Sequence, residues 1–435
     1  MLVKLRKHAF RKLEQKEYEK SKKIYTQLIN SDYPEVEDFI NISHIYIQLN
    51  DYDKALKNLL KAINIGLINS DIYYNIGIIY EYQSKVFKAL ISYKQAIFIN
   101  PNNSEALTNL AILKRKKGKL IESLEYSCRA IKINSNLLEA HLAKGKTCFE
   151  LNNYSEALKA FKKATTLNKK SSISWFFLAS IQIELKMHSE GIVSYKRAIS
   201  IDPNKINYYW NLSNVYLQVG NYKLGLKLYE YRHLLKQEFH YIKNIPLPLW
   251  NGEIRENLRL LIVSEQGLGD IFHFCRYVLY LQNLDINITL CTYPKLHNIL
   301  RHSGIFNIVD NTLNYKSINQ LYDSYVHIAS LPFLLKITPK KPLISSAYIK
   351  SNPNKDIAWK RKIKIDRNLI IGLNWQGNIS NDKNKDPYSG NCRSFPLEIF
   401  KPLSEINGIK FLSLQKGDGT DQLKNCSFND KFIIS

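Results

Sequence analysis

One period dominates the first half of this chain. Ser21, Ala55, Ala89, Ser123, Ala157, Gly191 and Gly225 stand 34 residues apart without a slip. A second column of small residues, Ala62, Ala96, Ala130, Ala164 and Ala198, keeps the same spacing. Tyr25, Leu59, Tyr93, Phe161, Tyr195 and Tyr229 lie between the two columns. Small residues let helix backbones approach and bulky ones fill the gap, so this alternation belongs to helices that nest in pairs. A unit of this length buries its apolar face only against neighbours in series. The register gives seven units, residues 2–35, 36–69, 70–103, 104–137, 138–171, 172–205 and 206–239.

Asn50-Asp51-Tyr52, Asn152-Asn153-Tyr154 and Gly220-Asn221-Tyr222 mark the turn between the two helices of a unit, and Pro101 and Pro203 fall at unit junctions. A proline there ends a helix. With these turns the 34-residue unit resembles the tetratricopeptide repeat. That resemblance implies an α-solenoid with a long groove for a protein or peptide. Asn41, Asn75, Asn109 and Asn211 share one position on the first helix of their units, the inward-facing helix in this repeat class. Amides so placed can pair with an extended peptide backbone of any sequence. Similar O-linked N-acetylglucosamine transferases hold peptides on such ladders. Ala143 and Phe177 interrupt the series here. The plainer alternative is a scaffold or oligomerisation surface, since the repeat supplies a surface and no chemistry.

The 435 residues exceed what seven repeats need, so a folded remainder is expected. Lys and Arg number 62 against 38 Asp and Glu, a net charge of +24. The excess is spread over the whole length with no arginine-rich arm or nucleic-acid motif, which argues against nucleic acid as the partner. Six cysteines show no paired C-x-x-C spacing and no nearby histidine pattern that would make a zinc site, so a reduced, cytoplasmic protein is the simplest expectation. The N-terminus lacks the apolar core of a signal peptide, and no stretch of about eighteen apolar residues exists to span a bilayer.

After residue 239 the rhythm stops. A connector, residues 240–258, contains the proline-punctuated and apolar segment 245–252, which is expected to seat one domain on the other. Residues 259–264 read as a buried strand, 265–270 as a tight loop with Gly267 and Gly269, and 271–281 as an amphipathic helix. Strands follow at 287–292, 306–309 and 325–329, with helices at 294–301 and 331–337. Such alternation builds a doubly wound parallel sheet, here over residues 259–365. A second start of the same kind covers residues 366–435, with strands at 369–375 and 410–414, a loop at 376–378 and a helix reaching about Ile406. Two Rossmann-like units in tandem imply a cleft faced by the loops at the carboxyl ends of their strands.

P-L-W-N-G-E (248–253), E-Q-G-L-G-D (265–270), F-C-R-Y (274–277), S-L-P (330–332), G-L-N-W-Q-G-N (372–378), R-S-F-P-L-E (393–398) and S-L-Q-K-G (413–417) resemble, in this order, the catalytic part of bacterial tetratricopeptide-repeat glycosyltransferases of the heptosyltransferase type. The resemblance implies a two-domain GT-B fold and transfer of a sugar from a nucleotide-sugar to a protein or glycan acceptor, without a metal. The first Rossmann-like unit would hold the acceptor and the second the donor. Asp270 matches the aspartate proposed there as general base, a role a carboxylate at a cleft edge can fill. An aspartate opening a helix is equally suited to capping it. Gly267 and Gly269 would bring amides close to an anion. Arg393 would face the donor diphosphate, where a guanidinium bonds two oxygens at once. Lys416 would be a second basic residue at a strand's carboxyl end or else a solvated surface lysine, and Trp375 and Gln376 would shape the same mouth, with Trp375 equally suited to the core. In relatives the second unit continues beyond S-L-Q-K-G into a helix that receives the diphosphate. About seventy residues of that unit remain here against the ~100 or more a doubly wound unit usually takes, so a C-terminally truncated, inactive transferase is one expectation. A non-catalytic protein-binding adaptor is the alternative. The incomplete sheet is expected to hold two strands and to leave Phe411, Leu412 and Leu414 poorly covered.

Overall fold

The computed structural model describes residues 2–235, 245–265, 267–284, 286–310, 318–338, 340–341, 343, 346–363, 369–377 and 394–433. The chain divides into two compact units, Met1–Pro203 and Asn204–Ser435.

The first unit is an α-solenoid of six helix pairs, from Leu2–Glu14 with Tyr18–Leu28 to Ser172–Glu184 with His188–Ile201. The small columns do what the spacing predicts: Ser21, Ala55, Ala89, Ser123 and Ala157 are fully buried. The structure gives meaning to a third column. Ala9, Ser43, Gly77, Ala111, Gly145, Ala179 and Ser213 also recur every 34 residues, on the first helix of each pair. At Gly77 and Gly145 this position receives the bulky residue of the second helix. A Cβ on Gly77 would stand 2.4 Å from the Tyr93 ring, and one on Gly145 2.5 Å from Phe161. First helices of neighbouring pairs also touch one another, Val36–Gln48 against Ser70–Tyr82 and Ser104–Lys116 against Leu138–Glu150. They therefore line the inner side of the stack.

The turn inside each repeat is one backbone conformation repeated seven times. Lys16, Asn50, Ser84, Gly118, Asn152, Lys186 and Gly220 all have φ between 57° and 79°. Only Gly and Asn suit that region well. The next residue caps the second helix where its side chain allows, as Asp51, Asn153 and Asn221 do by accepting from the amides of Lys54, Glu156 and Leu224.

The second unit begins with the seventh pair, Ile206–Gln218 and Tyr222–Tyr229, and a short 3-10 segment, Glu230–Leu234. The period places this repeat with the first six, within residues 2–239, but it packs as part of the α/β unit. The first sheet contains β1 (Arg259–Val263), β2 (Asn287–Thr292), β3 (Ile308–Asp310) and β4 (Ser324–His327), all parallel, in the order β3-β2-β1-β4. Leu261 pairs with Thr289 on one side and Tyr325 on the other, which makes β1 central and explains its apolar run. The helix Leu268–Gln282 follows β1. The proline-rich connector docks along β4: the Trp250 amide donates to the Tyr325 carbonyl at 2.8 Å, and the Tyr325 amide to the Pro248 carbonyl at 3.0 Å.

The second sheet holds β5 (Leu369–Leu373), β6 (Ile409–Ser413) and β7 (Phe432–Ile433), parallel and in that order. This is one strand more than expected. Phe432 and Phe428 close over Phe411 with ring centroids 5.5 and 5.6 Å away, so Phe411 is fully buried, while Leu414 stays 57% exposed. The helix Pro353–Lys362 escapes the apolar pattern because it is mostly charged; Asn352 caps it and Pro353 opens it. No helix among the described residues is long and apolar enough to cross a membrane.

The repeated left-handed turn generates a first prediction. Gly118→Ala should lower stability by about 1 kcal/mol, a purely backbone effect, because a Cβ there meets nothing within 4 Å. Lys186→Gly should not destabilise, and urea unfolding midpoints of the two variants compare them directly.

Candidate functional site

On the inner side of the first unit, Asn41, Asn75 and Asn109 sit at equivalent places on successive first helices, each half-buried. Each amide is anchored within the protein. Asn109 Nδ2 donates to the Tyr93 hydroxyl at 3.2 Å, Asn41 bonds the Tyr25 hydroxyl, and Asn75 Nδ2 donates to the Asp71 carbonyl at 2.7 Å. Tyr93 in turn donates to Glu81 at 2.7 Å. Burial pushes the Tyr25 phenol up to about 12 and Tyr93 higher still, so both stay protonated at neutral pH. Asn211 lies in the second unit and donates to its own helix at the Asn207 carbonyl.

In the second unit the loop after β1 carries two carboxylates with different fates. Asp270 is exposed and satisfies the first free amide of the helix, its Oδ2 accepting from the Gly267 N–H at 3.0 Å. The glycines do not make the sharp turn expected of them. Gly267 has φ −81°, and added Cβ atoms would meet only Asp270 Oδ2, 3.3 Å from Gly267, and nothing within 4 Å of Gly269. The fold therefore leaves open space above this helix start. Glu265, the first residue of the E-Q-G-L-G-D motif, is buried.

Its partner is Arg232, fully buried at the end of the seventh repeat. All five guanidinium donor directions are used. Nε and Nη2 donate to Glu265 at 3.2 and 2.6 Å, Nη2 also to Ser330 Oγ at 2.8 Å, and Nη1 to Glu230 at 2.6 Å and to the Tyr229 carbonyl at 3.3 Å. Glu265 accepts additionally from the Ala329 amide at 3.1 Å, and Ser330 donates to Glu230 at 2.8 Å. The E-Q-G and S-L-P motifs thus meet on one arginine. This is why the seventh repeat packs with the α/β part. Arg232 carries no signal in the periodicity, because it lies past the last repeat helix.

His233 and His327 flank this network with ring centroids 4.5 Å apart. His327 Nδ1 is buried and has no hydrogen-bond partner among the described residues. Burial, opposed in part by Glu265, pulls the imidazole down to about 4 and keeps it neutral. Burial alone would raise Glu230, but His233, Arg232 and Ser330 outweigh it and lower it. The ligand atoms of His233, Glu265 and His327 come within 4.8 Å of one another. A cation there would compete with a guanidinium that already holds both oxygens of Glu265, so the group reads as a latch and not as a metal centre.

At the second sheet, Trp375 lies in the core, 1% exposed, with its indole N–H donating to the Gly419 carbonyl at 3.1 Å. Its bulk fills the space beside Leu397, Phe411 and Phe428 and does not line a mouth. Gln376 is clasped by Gln415 and Gln422, whose amides donate to its backbone and side-chain oxygens at 2.9 and 2.8 Å. Lys416 is exposed on the next loop. Arg393 lies outside the described residues. Among the described residues no hydrogen bond or ion pair joins Gly267, Gly269 or Asp270 to Trp375, Gln376 or Lys416.

Two models of the tetratricopeptide repeat match this protein, one over residues 138–171 and the other over residues 39–65 and 173–205. The repeats are tetratricopeptide repeats, as their period predicts. Protein FlbA of Caulobacter vibrioides is 22% identical over 231 residues, 48% of this chain and 37% of that protein. The present sequence therefore spans little more than a third of the length of that curated relative. Among solved structures, MamA of Desulfovibrio magneticus RS-1 is 18% identical, with 38% of this chain and 95% of that one covered and a TM-score of 0.35. TTC0263 of Thermus thermophilus is 18% identical, with 42% and 98% covered and a TM-score of 0.35.

The latch generates two predictions. Arg232→Ala strands the buried Glu265 and the half-buried Glu230 and should destabilise the second unit by about 3–5 kcal/mol, whereas Asp270→Asn, an exposed cap that keeps an acceptor oxygen, should cost under about 1 kcal/mol; urea unfolding separates them. The folded His327 binds its proton more weakly than the unfolded one. Stability should therefore be fully present above about pH 6.5 and fall as the pH drops toward 4, by roughly 3 kcal/mol at most. The lowered Glu230 adds loss in the same direction. His327→Asn should flatten the His-linked part of a stability profile measured between pH 7 and 4.

Proposed function

We propose that the protein recruits a partner by laying an extended segment of it along the inner side of the repeats. The observation that carries this is the row of Asn41, Asn75 and Asn109 on helices that line that side. Each amide has two N–H donors and a carbonyl oxygen. At Asn41 and Asn75 one donor is committed to the protein itself, which fixes the side chain, and the remaining N–H and the carbonyl match the donor and acceptor of one peptide unit; Asn109 bonds both Tyr93 and Tyr74 and offers its carbonyl. A fixed amide loses little entropy when a peptide arrives.

A second reading is glycosyl transfer. It is favoured by the ordered motifs, and by the open space above Gly269 beside an exposed carboxylate at the carboxyl end of a central parallel strand, where ligands of open α/β sheets sit. In this reading Asp270 removes the acceptor proton, and Gln376, Lys416 and Arg393 face a nucleotide-sugar. Latching of the seventh repeat onto the β1 loop suits either reading, because it makes that repeat and the loop mechanically continuous within the second unit.

Replacing Asn41, Asn75 and Asn109 together by alanine should weaken binding of peptides selected from a random library by about tenfold or more, with the helical circular-dichroism signal unchanged. Full retention of affinity would remove the ladder from the function. For the second reading, calorimetric titration with a panel of nucleotide-sugars should show no micromolar binding if the protein is an adaptor. If transfer is detected, Asp270→Asn should lower it by about two to four orders of magnitude.

A further inference from the structure

The outer side of the first unit, formed by the second helices of its pairs, carries two features that repeat packing does not require. The first is a helix that departs from its register. At three outward places the other second helices are mostly polar: Asp53, Ser155 and Ser189 share one, Lys57, Glu125 and Lys159 another, and Asn64, Lys132, Thr166 and Ser200 the third. On Val86–Ile99 the same places hold Phe87, Ile91 and Phe98, exposed by 70, 53 and 80%. Residues four and eleven apart lie on one face of a helix, so the three form a stripe about 16 Å long. Elsewhere in this unit only Ile121 and Val193 are apolar at these places, and Ile121, on the neighbouring second helix, is 63% exposed beside the stripe. Apolar residues scattered singly over a surface are ordinary, whereas a contiguous set where sister repeats are polar marks an interaction.

The second feature is charge. The second helices of the six pairs hold 15 Lys and Arg against 6 Asp and Glu, and the first helices hold 10 against 9. A general excess of lysine would load both sides alike, so the basic outer side is a matter of placement. Val86–Ile99 itself contains Lys88 and Lys94 and no acidic residue. Lys94, in the middle of the stripe, has no hydrogen-bond or ion-pair partner among the described residues. Lys88 rests over the Tyr80 ring at 5.6 Å without a carboxylate.

We propose that the outer side of the first unit docks on a bilayer surface rich in acidic lipids, with Phe87, Ile91 and Phe98 seated among the headgroups and the lysines facing lipid phosphates. Interfacial helices combine the same parts, aromatic and aliphatic side chains on the buried face with cations at headgroup level. Lys94 reaches the phosphates from within the stripe, because its stem is apolar and only its end is charged. A second copy of the chain fits less well. A two-fold contact across this helix would set Lys88 and Lys94 against their own counterparts with no carboxylate between them. A nucleic acid would meet the lysines, but Ile91 and Ile121 give its bases no ring to stack on. The inner side stays free in this arrangement, so the proposal stands independently of the peptide-binding reading.

The test is flotation of the full-length protein with vesicles of phosphatidylcholine alone and of phosphatidylcholine and phosphatidylglycerol in equal parts. Binding is expected to the mixed vesicles, decreasing as salt is raised, with little to phosphatidylcholine alone. One variant combines Phe87→Ser, Ile91→Lys and Phe98→Thr, the residues that the fifth pair already carries at these places as Ser155, Lys159 and Thr166. It should weaken partition onto mixed vesicles about tenfold or more although it adds a positive charge. Lys88→Gln with Lys94→Gln should weaken it about fivefold or more, and both variants should keep the helical circular-dichroism signal. Unchanged partition of either variant overturns the docking, as does binding to phosphatidylcholine alone that equals binding to the mixed vesicles. Sedimentation velocity without lipid should give one mass for wild type and triple variant. A larger species confined to the wild type assigns the stripe to a second copy and overturns the proposal, and so does binding of double-stranded DNA that the triple variant loses.

Discussion

The first unit depends on close approach of the two helices of each pair, most plainly where a bulky residue of the second helix rests on a glycine of the first. Gly77 under Tyr93 and Gly145 under Phe161 show how little room there is, since a single added methyl would stand inside the ring's van der Waals surface. Close approach of the two helices sets where the next pair can stack, and stacking places first helices side by side on the inner side. The groove is a consequence of that spacing. A repeat that lost the small residue would have to splay its helices and would shift its neighbours as well.

The second unit depends on a different kind of constraint. Its repeat and its sheet are joined by a buried guanidinium with five donor directions and two carboxylates, a serine hydroxyl and a carbonyl to meet them. Apolar packing tolerates sliding, whereas a fully bonded arginine admits one geometry. Buried ion pairs contribute little net stability compared with apolar residues of the same volume, but removing one partner is costly. The motif residues Glu265 and Ser330 are therefore accounted for by architecture, independently of any reaction. Asp270, Gly267 and Gly269 are not: the cap uses the aspartate, but nothing in the fold demands the glycines.

The inner side of the first unit is chemically graded. Amides stand at Asn41, Asn75 and Asn109, and an ammonium over aromatic rings follows at Lys146 and Phe177. Under the peptide-binding proposal, amides at these positions suit a backbone of any sequence.

The repeats were legible in the sequence because a 34-residue period forces each helix pair to meet an identical neighbour, so local spacing and tertiary contact carry the same information. The central parallel strand was legible for a related reason: β1 is buried on both faces and reads as an apolar run. Boundaries drifted where tertiary contacts decide them. β4 begins at Ser324 and yields to a 3-10 turn at Ile328, and β7 exists because Phe432 finds Phe411 and Phe428. The site was legible only in part. Asp270 and the asparagine row announce themselves by motif and period, but the roles of Glu265, Arg232, Ser330 and His327 come from residues 33 to 98 positions apart brought to one point. Linear spacing encodes contacts that recur, and a contact made once, between a repeat's end and a sheet's loop, leaves no period to read. The sequence by itself determined the repeat, the alternation and the candidate amides. Only the tertiary structure decided which carboxylate is buried, which tryptophan is core and which lysine is left without a partner, because each depends on what the rest of the fold has already used.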